Sequence, residues 1–240
     1  KDSYSDERRT QVVARGFKEF TTEDLIPNEQ TIIMSTRDGY IKRLPPDTFK
    51  TQGRGGKGVI GVTTKEEDVV ERIISTNTHD MILFFTTRGR VFQLRAYDIP
   101  ETSRTAKGQA MVNFLQLAPH EKVSAILSMS DMKRYSYLVM VTKKGVIKKS
   151  ALEDFANVRR SGLIALKLKT DDALEWVEGS RGKDEIFLVT GHAQAIRFKE
   201  NAIRSMGRNA SGVRGLRFKK EDSIVGMAVI DPALAQKKIL

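Results

Sequence analysis

The sequence predicts an all-β fold, a radial array of about four propeller-like blades, on the basis of three observations. Four apolar runs of four or five residues recur along the 240-residue chain, each rich in β-branched or aromatic side chains. Each run is followed by a tight turn and a second short strand. The turn and several later landmarks return at intervals of about fifty residues, the period typical of a blade of about four short strands.

The apolar runs open the four repeats and occupy residues 31–34, 81–85, 137–141 and 186–189. They are too short for buried helices, so each one predicts a buried strand. A turn residue precedes the second strand of each repeat, and these residues are spaced by 50, 56 and 48 positions: Gly39, Gly89, Gly145 and Ala193. Strand, tight turn and strand predict a β-hairpin.

Further landmarks follow each hairpin. Ten residues after the turn lies one apolar residue that we expect to be buried: Phe49, Ile99, Phe155 and Ile203. A marker glycine follows in every repeat, and after it comes an acidic turn at 67–68, 121, 171–172 and 221–222. Acidic pairs in such turns, for example 66–67 and 171–172, are expected to be solvated. An apolar strand then closes the unit. One blade cannot bury both of its faces, so neighbouring blades must pack side by side around an axis.

The repeats predict one β domain over residues 29–240, with blades at approximately 29–77, 78–130, 131–180 and 181–230. Residues 1–28 are expected to form a linker or lead-in strand. Residues 236–240 are expected to begin a further strand. Because the chain starts at Lys1 and enters through a polar stretch, we expect it to be a piece of a longer protein.

The composition is strongly basic, with 41 Lys and Arg against 30 Asp and Glu, a surplus of 11. Such a surplus attracts polyanions: nucleic acid, an anionic membrane face or acidic proteins. The absence of cysteine excludes disulfides and thiolate metal sites and suits the cytoplasm. No apolar run approaches the roughly 18 residues of a membrane span. The three histidines lack ligand spacing and no nucleophile motif is found, so we expect no metal, no cofactor and no catalysis by the domain alone.

Charge is segregated within each repeat. The cations gather between the hairpin and the marker glycine, and the acids follow that glycine. Because blades are related by rotation, equivalent cations should fall on one rim and form a basic belt, with an acidic opposite edge. A curved basic belt suits the phosphates of a bent duplex. The predicted DNA-binding rim comprises Lys42, Arg43, Arg88, Arg90, Arg95, Arg104, Lys107, Lys143, Lys144, Lys148, Lys149, Arg159, Arg160, Arg197, Lys199, Arg204, Arg208 and Arg214.

The sharpest motif is a glycine-rich box in the first repeat: Gln52, Gly53, Arg54, Gly55, Gly56, Lys57 and Gly58. Its backbone can approach a phosphate closely and offers N–H donors beside two cations. It is not a nucleotide P-loop, because no Ser or Thr follows the lysine and no helical pattern follows the loop.

In this context the box resembles the signature of the C-terminal domain of DNA gyrase A, within the type IIA topoisomerase family. Segments 6–10, 77–80, 89–91 and 206–215 also resemble that family, so the likeness covers nearly the whole chain. The resemblance implies a β-pinwheel whose blades exchange strands and whose rim wraps double-stranded DNA. It also implies two partners in an A2B2 complex, the gyrase B subunit, which hydrolyses ATP, and the cleavage core of the parent A subunit. That complex introduces negative supercoils.

The chain departs from the family in having Gly53 where an arginine is usual, and in having only four blades. Two alternatives stay open. The first is the topoisomerase IV A subunit, whose box is usually degenerate. The second is a basic propeller that binds an acidic protein; an enzymatic propeller is a weaker third. A salt titration separates DNA binding from protein binding, because phosphate contacts weaken steeply with salt. The isolated domain is expected to be a monomer.

Overall fold

The computed structural model describes residues 22–48, 68–218 and 221–235. Within these ranges the chain forms fifteen β-strands, with helical segments no longer than four residues. The predicted all-β class is therefore confirmed. None of the helices in the described ranges is long and apolar enough to cross a bilayer.

The strands follow the four repeats in order. Repeat one forms β1 (Gln30–Thr36), β2 (Tyr40–Leu44) and β3 (Val70–Asn77). Repeat two forms β4 (Met81–Thr86), β5 (Arg90–Arg95), β6 (Gln109–Ala110) and β7 (Val123–Ser128). Repeat three forms β8 (Tyr137–Thr142), β9 (Val146–Ala151), β10 (Leu163–Ile164) and β11 (Leu174–Ser180). Repeat four forms β12 (Glu185–Thr190), β13 (Ala195–Lys199), β14 (Val213–Arg214) and β15 (Ile224–Ile230).

The helical segments are short. The α-helical turns are α1 (Thr22–Leu25), α2 (Met129–Met132) and α3 (Pro232–Ala235). A 3₁₀ turn follows the second hairpin strand in each repeat, at Pro46–Thr48, Ala96–Asp98, Leu152–Phe155 and Glu200–Ala202, and another lies at Met111–Asn113. These segments serve as corners between strands.

The strands assemble into four antiparallel sheets that exchange strands between repeats. The sheet orders are β3-β1-β2-β6, β10-β5-β4-β7, β11-β8-β9-β14 and β13-β12-β15. In the first three sheets, the strand beside the second hairpin strand comes from the following repeat. The strand exchange expected from the family resemblance is thus present in all three.

The position of each strand within its blade follows from the sheet orders. The closing strands β3, β7, β11 and β15 contact one another in sequence, so they line the axis of the array. The exchanged strands β6, β10 and β14 lie at the opposite end of their sheets and form the outer rim. Gly89 illustrates how closely the exchanged chain approaches, because a Cβ there would lie 2.3 Å from the Leu166 carbonyl oxygen.

The hydrophobic core lies between the blades. In β4, Ile82 and Phe84 pack in the core shared with blade one, while Leu83 and Phe85 pack in the core shared with blade three. The middle strands are buried on both faces, and this explains why the opening runs are continuously apolar. Ile99, Phe155 and Ile203 are 0%, 0% and 4% exposed, which confirms three of the four predicted core positions. The fourth, at position 49, lies outside the described residues.

Candidate nucleic-acid interface

The loop before each exchanged strand lies along the outer edge of the preceding blade. The Arg43 amide donates to the Pro100 carbonyl, and the Thr102 amide donates back to the Arg43 carbonyl. β6 then pairs with β2. The loop of repeat four binds blade three in the same way, with the Met206 amide donating to the Lys149 carbonyl. The cation-rich loops are therefore part of the rim.

The hairpin turns are held by a threonine that recurs in every repeat. Its hydroxyl accepts the amide hydrogen of the residue four positions later, at 3.0–3.3 Å, in Thr36, Thr86, Thr142 and Thr190. The turn thus uses the side-chain oxygen to satisfy an amide that the sheet leaves unpaired.

A carboxylate from the acidic turn completes each of these turns. Asp68, Asp172 and Asp222 accept the amide hydrogens of Asp38, Lys144 and His192, whereas Glu121 accepts the Thr86 hydroxyl at 2.6 Å. Asp68 and Glu121 are only 6% and 5% exposed, so the carboxylates that complete these two turns are buried, and the expected solvation of acidic pairs is wrong for Asp68. The expected separation of an acidic edge from the cations is also wrong, because the turn amides draw these carboxylates to the same end of the blade.

The most elaborate of these contacts joins Glu121 and Arg90. The Glu121 carboxylate accepts hydrogen bonds from Arg90, the Thr86 hydroxyl and the Ala118 amide. Burial would raise the pKa of Glu121, but these hydrogen bonds outweigh it and hold the pKa below its usual value. Arg90 also lies 4.7 Å from the centre of the Phe92 ring. This arginine is therefore committed to the turn.

Seven of the eighteen predicted rim cations are similarly engaged within the protein. Arg43, Arg95 and Arg197 pair with Glu101, Glu23 and Glu185. Lys149 pairs with the buried Glu200 at 3.4 Å. These contacts, together with the burial of Lys42 and Lys148, narrow the set of candidate phosphate contacts, because a cation that is paired or buried within the protein is poorly placed to bind a phosphate. The seven are Lys42, Arg43, Arg90, Arg95, Lys148, Lys149 and Arg197.

Lys42 and Lys148 are the most deeply buried of the three buried lysines in the described part of the chain, at 3% and 0% exposure against 7% for Lys149. The Lys42 ammonium donates to the carbonyls of Arg104 and Ala106 at 2.8 and 2.6 Å. The Lys148 ammonium donates to those of Ala165 and Arg208 at 2.7 and 2.5 Å. Burial lowers the pKa of both side chains, and that of Lys148 falls to about 8.

The other eleven predicted cations are exposed or half-exposed, and within the described residues none of them forms an ion pair with an acidic side chain. Two of them donate side-chain hydrogen bonds to main-chain carbonyls: Arg88 to that of Pro119 at 2.9 Å, and Lys144 to that of Thr170 at 3.4 Å. These residues are the candidate phosphate contacts: Arg88, Arg104, Lys107, Lys143, Lys144, Arg159, Arg160, Lys199, Arg204, Arg208 and Arg214.

Three exposed cations that follow the exchanged strands were not included in the rim predicted from the sequence. Lys167, Lys169 and Arg217 lie just beyond the exchanged strands β10 and β14. The predicted rim stopped at the marker glycine in most repeats and therefore missed them. Lys167 and Arg217 each lie five residues after that glycine, and this shared spacing could have identified them.

The lead-in segment contacts blade two. Arg95 donates to Glu23 of α1 at 3.2 Å and to the His79 carbonyl at 2.8 Å. The His79 ring contacts the Ile26 carbonyl through Nε2 at 2.7 Å, and the Thr78 hydroxyl donates to Pro27. These contacts fix residues 22–29 to the corner of the second blade, and one of them engages Arg95, a predicted rim cation.

A cavity of about 530 Å³ lies at the axis, where the inner strands of the first three blades meet. Glu71, Arg72, Glu175 and Trp176 are among its lining residues. Burial raises the pKa of Glu175. Within the described part of the chain, no cluster of three potential metal ligands is present. Trp176 also packs against the hydrophobic core between blades three and four.

The glycine-rich box, residues 52–58, lies outside the described residues. Its counterpart in repeat two is described, because Arg104 and Lys107 stand four and one residues before the marker glycine Gly108, as Arg54 and Lys57 stand before Gly58. Repeat four keeps the arginine alone, as Arg208 before Gly212.

Comparison with known proteins identifies the family to which the repeats correspond. The family model described as "DNA gyrase C-terminal domain, beta-propeller" matches residues 30–77, 80–128, 136–178 and 184–231. The A subunit of DNA gyrase from Staphylococcus aureus (strain NCTC 8325 / PS 47) is 42% identical over 230 residues, which are 95% of this chain and 26% of that protein. The chain thus spans about a quarter of the length of the curated relatives it matches.

Two solved structures are also similar. The C-terminal domain of DNA topoisomerase IV superimposes with a TM-score of 0.72 and 28% identity, covering 86% of this chain and 62% of that one. The DNA gyrase A C-terminal domain superimposes with a TM-score of 0.63 and 25% identity, covering 84% of this chain and 65% of that one.

Proposed function

Because this chain belongs to the DNA gyrase C-terminal domain family, we propose that it binds duplex DNA along its outer rim and wraps it. The domain itself catalyses nothing. In the parent type IIA topoisomerase, the wrapped segment is presented to the cleavage core of the A subunit, and the B subunit hydrolyses ATP in an A2B2 complex. The product is negatively supercoiled DNA in the bacterial cytoplasm.

The observation that carries this proposal is the set of eleven rim cations without acidic partners within the described residues. They lie in the hairpin turns, on the strand β13, and in the exchanged strands and the loops before them, which pack on the preceding blade. Phosphates attract such cations, and neutralising them releases counterions from the duplex. The same positions recur from blade to blade, so the contacts extend along a curved path.

Little base readout is expected on this rim. Asn209 is the residue best suited to bidentate recognition of adenine, but the equivalent position in repeat two is Thr105. Without a recurring base reader, affinity depends on phosphate contacts and on how easily the duplex bends. Bending 20–30 base pairs by 40–90° costs on the order of 1–6 kcal/mol, which several phosphate contacts offset.

A salt titration tests the proposal. The chain should bind linear duplexes without Mg²⁺ or ATP, and the logarithm of its affinity should fall linearly with the logarithm of salt concentration. Each phosphate contact contributes about 0.9 to the slope, so several contacts should give a slope of roughly −4 or steeper. Fluorescence anisotropy on duplexes of increasing length, with bend angles measured in parallel, provides both quantities. A shallow slope, or a footprint under about ten base pairs at one preferred sequence, would contradict the proposal and favour a protein-binding or site-specific module.

A second candidate is the C-terminal domain of a topoisomerase IV A subunit. The similarity to that solved domain supports it. The intact Arg54 and Lys57 of the box, and the 42% identity to a gyrase A subunit, favour gyrase. Joining the chain to a gyrase core that lacks this domain should restore negative supercoiling of relaxed plasmid, and relaxation alone would favour topoisomerase IV.

A further inference from the structure

Two of the buried lysines, Lys42 and Lys148, occupy the same place in alternate blades. Each lies three residues after its hairpin turn glycine, Lys42 after Gly39 and Lys148 after Gly145. Each ammonium donates to the main-chain carbonyl of an arginine about sixty residues later in the chain, Arg104 or Arg208. These arginines are themselves equivalent, since each stands four residues before its marker glycine. The contact is therefore a repeated feature of the array.

We propose that Lys42 and Lys148 are positioning residues for DNA binding: each fixes, from one blade, the loop of the next repeat that carries Arg104 or Arg208. The inference rests on the proposed function, because it assumes that these two arginines contact phosphates. The lysines do not contact DNA in this scheme. They act only through the loops they hold.

The chemistry of the contact favours this role over simple packing. Burying an ammonium that is bound only by carbonyls is less favourable in free energy than burying an apolar side chain in the same place. In blade two the equivalent position is apolar, because Phe92 lies three residues after Gly89. Phe92 packs directly against Gly162, where a Cβ would lie 2.8 Å from its ring. The loop in question, from Phe155 to Gly162, is two residues shorter than the loops from Ile99 to Gly108 and from Ile203 to Gly212.

The lysine is therefore found beneath the two longer loops, and the phenylalanine beneath the short one. A longer loop has more free backbone carbonyls and more conformational freedom to lose. Arg104 and Arg208 are half-buried, and Arg104 Nε is buried without a hydrogen-bond partner among the described residues. Their guanidinium groups are thus presented from a fixed loop, which lowers the entropy cost of binding a phosphate.

A double-mutant cycle tests the inference. At about 0.1 M salt the loss of one phosphate contact weakens DNA affinity by about eightfold, from a slope of 0.9 per contact. Arg208→Gln should show this loss, Lys148→Met should show a similar loss, and the double variant should be no weaker than Arg208→Gln alone. The control cycle pairs Lys144→Met with Arg208→Gln, where exposed Lys144 lies away from the loop and the losses should multiply. Lys42→Met with Arg104→Gln repeats the test in blade one, should Lys148→Met fail to fold.

Limited trypsin digestion provides a readout that is independent of DNA. Cleavage after Arg208 should become several-fold faster in Lys148→Met, because the loop is released, and should stay unchanged in Lys144→Met. Multiplying losses for Lys148→Met and Arg208→Gln, or unchanged cleavage at Arg208, would overturn the inference. A general loss of stability would also give multiplying losses, since it lowers affinity in either background. Failure of the wild-type chain to bind DNA would instead overturn the proposed function, and the cleavage result would still be interpretable.

Discussion

Lys148 makes the stability of the blade array depend on pH in an unusual direction. Its pKa falls to about 8 in the folded protein, chiefly because burial penalises the ammonium, with Asp154 opposing the shift and Arg208 reinforcing it. In the unfolded chain the pKa is about 10.4. A lysine whose folded pKa is lowered destabilises the fold while it is protonated, so this cost is present below about pH 8 and is relieved as the pH rises.

The magnitude follows from the proton count. Between pH 7 and pH 9 the folded protein loses most of one proton from Lys148, while the unfolded chain keeps it. At about 1.4 kcal/mol per proton and pH unit, the wild type should gain roughly 1 kcal/mol of unfolding free energy relative to Lys148→Met. Urea denaturation at pH 7, 8 and 9 measures this, with fluorescence of Trp176, the single tryptophan, as the probe.

The matched control is Lys144→Met, in the same hairpin but exposed, whose stability difference from wild type should not vary over this range. The comparison of the two variants removes the contribution of all other titrating groups. The argument that this ammonium is buried and protonated at neutral pH would be refuted by either of two results. The first is a difference in unfolding free energy between wild type and Lys148→Met that does not change with pH. The second is a difference that shifts in favour of the variant between pH 7 and pH 9.

Three other perturbations have defined outcomes. Phe155→Ala should reduce the unfolding free energy by about 3–5 kcal/mol, because this ring is fully buried 5.9 Å from that of Phe85; a loss under about 1 kcal/mol in urea would mean that the site collapses or is solvated. Glu121→Gln should reduce the unfolding free energy by roughly 2–3 kcal/mol at pH 7. The variant should also lack the part of the wild type's acid destabilisation that begins near the unfolded pKa of about 4.3 and continues through the lower folded pKa. Acid titrations of the wild type and the variant that superimpose would contradict the turn contact. Neutralising Arg54 and Lys57 together should reduce DNA bending more than affinity, and proportionate losses in a bend assay would make the box one basic loop among several.

The repeat pattern predicted the fold because its signals are local. A buried strand, a tight turn and an apolar residue ten positions later can each be recognised within one repeat. Their recurrence at Ile99, Phe155 and Ile203 placed those residues correctly in the core. The strand exchange has no such local signal and was expected only from the family resemblance.

The candidate interface was predicted less completely, because burial of a cation depends on distant residues. Lys143 and Lys148 are basic residues of the same predicted hairpin, yet one is exposed and the other is enclosed by a loop sixty residues away. Likewise, Arg90 donates a hydrogen bond to Glu121, which lies 31 residues later in the chain. The sequence identified where positive charge accumulates, and only the tertiary structure separates the cations available to a ligand from those that support the scaffold.

The exchanged strands put the genetic repeat and the structural blade out of phase by one strand. No single repeat therefore supplies a complete four-stranded blade, because each of the first three sheets takes its outer strand from the next repeat. A truncation at a hairpin boundary leaves the last remaining blade without its outer strand. The offset also gives the array a polarity, since Arg104 belongs to repeat two but sits on blade one. Loss of a repeat from the C-terminal side strips cations from the blade before it, whereas loss from the N-terminal side does not affect the blade that follows in this way.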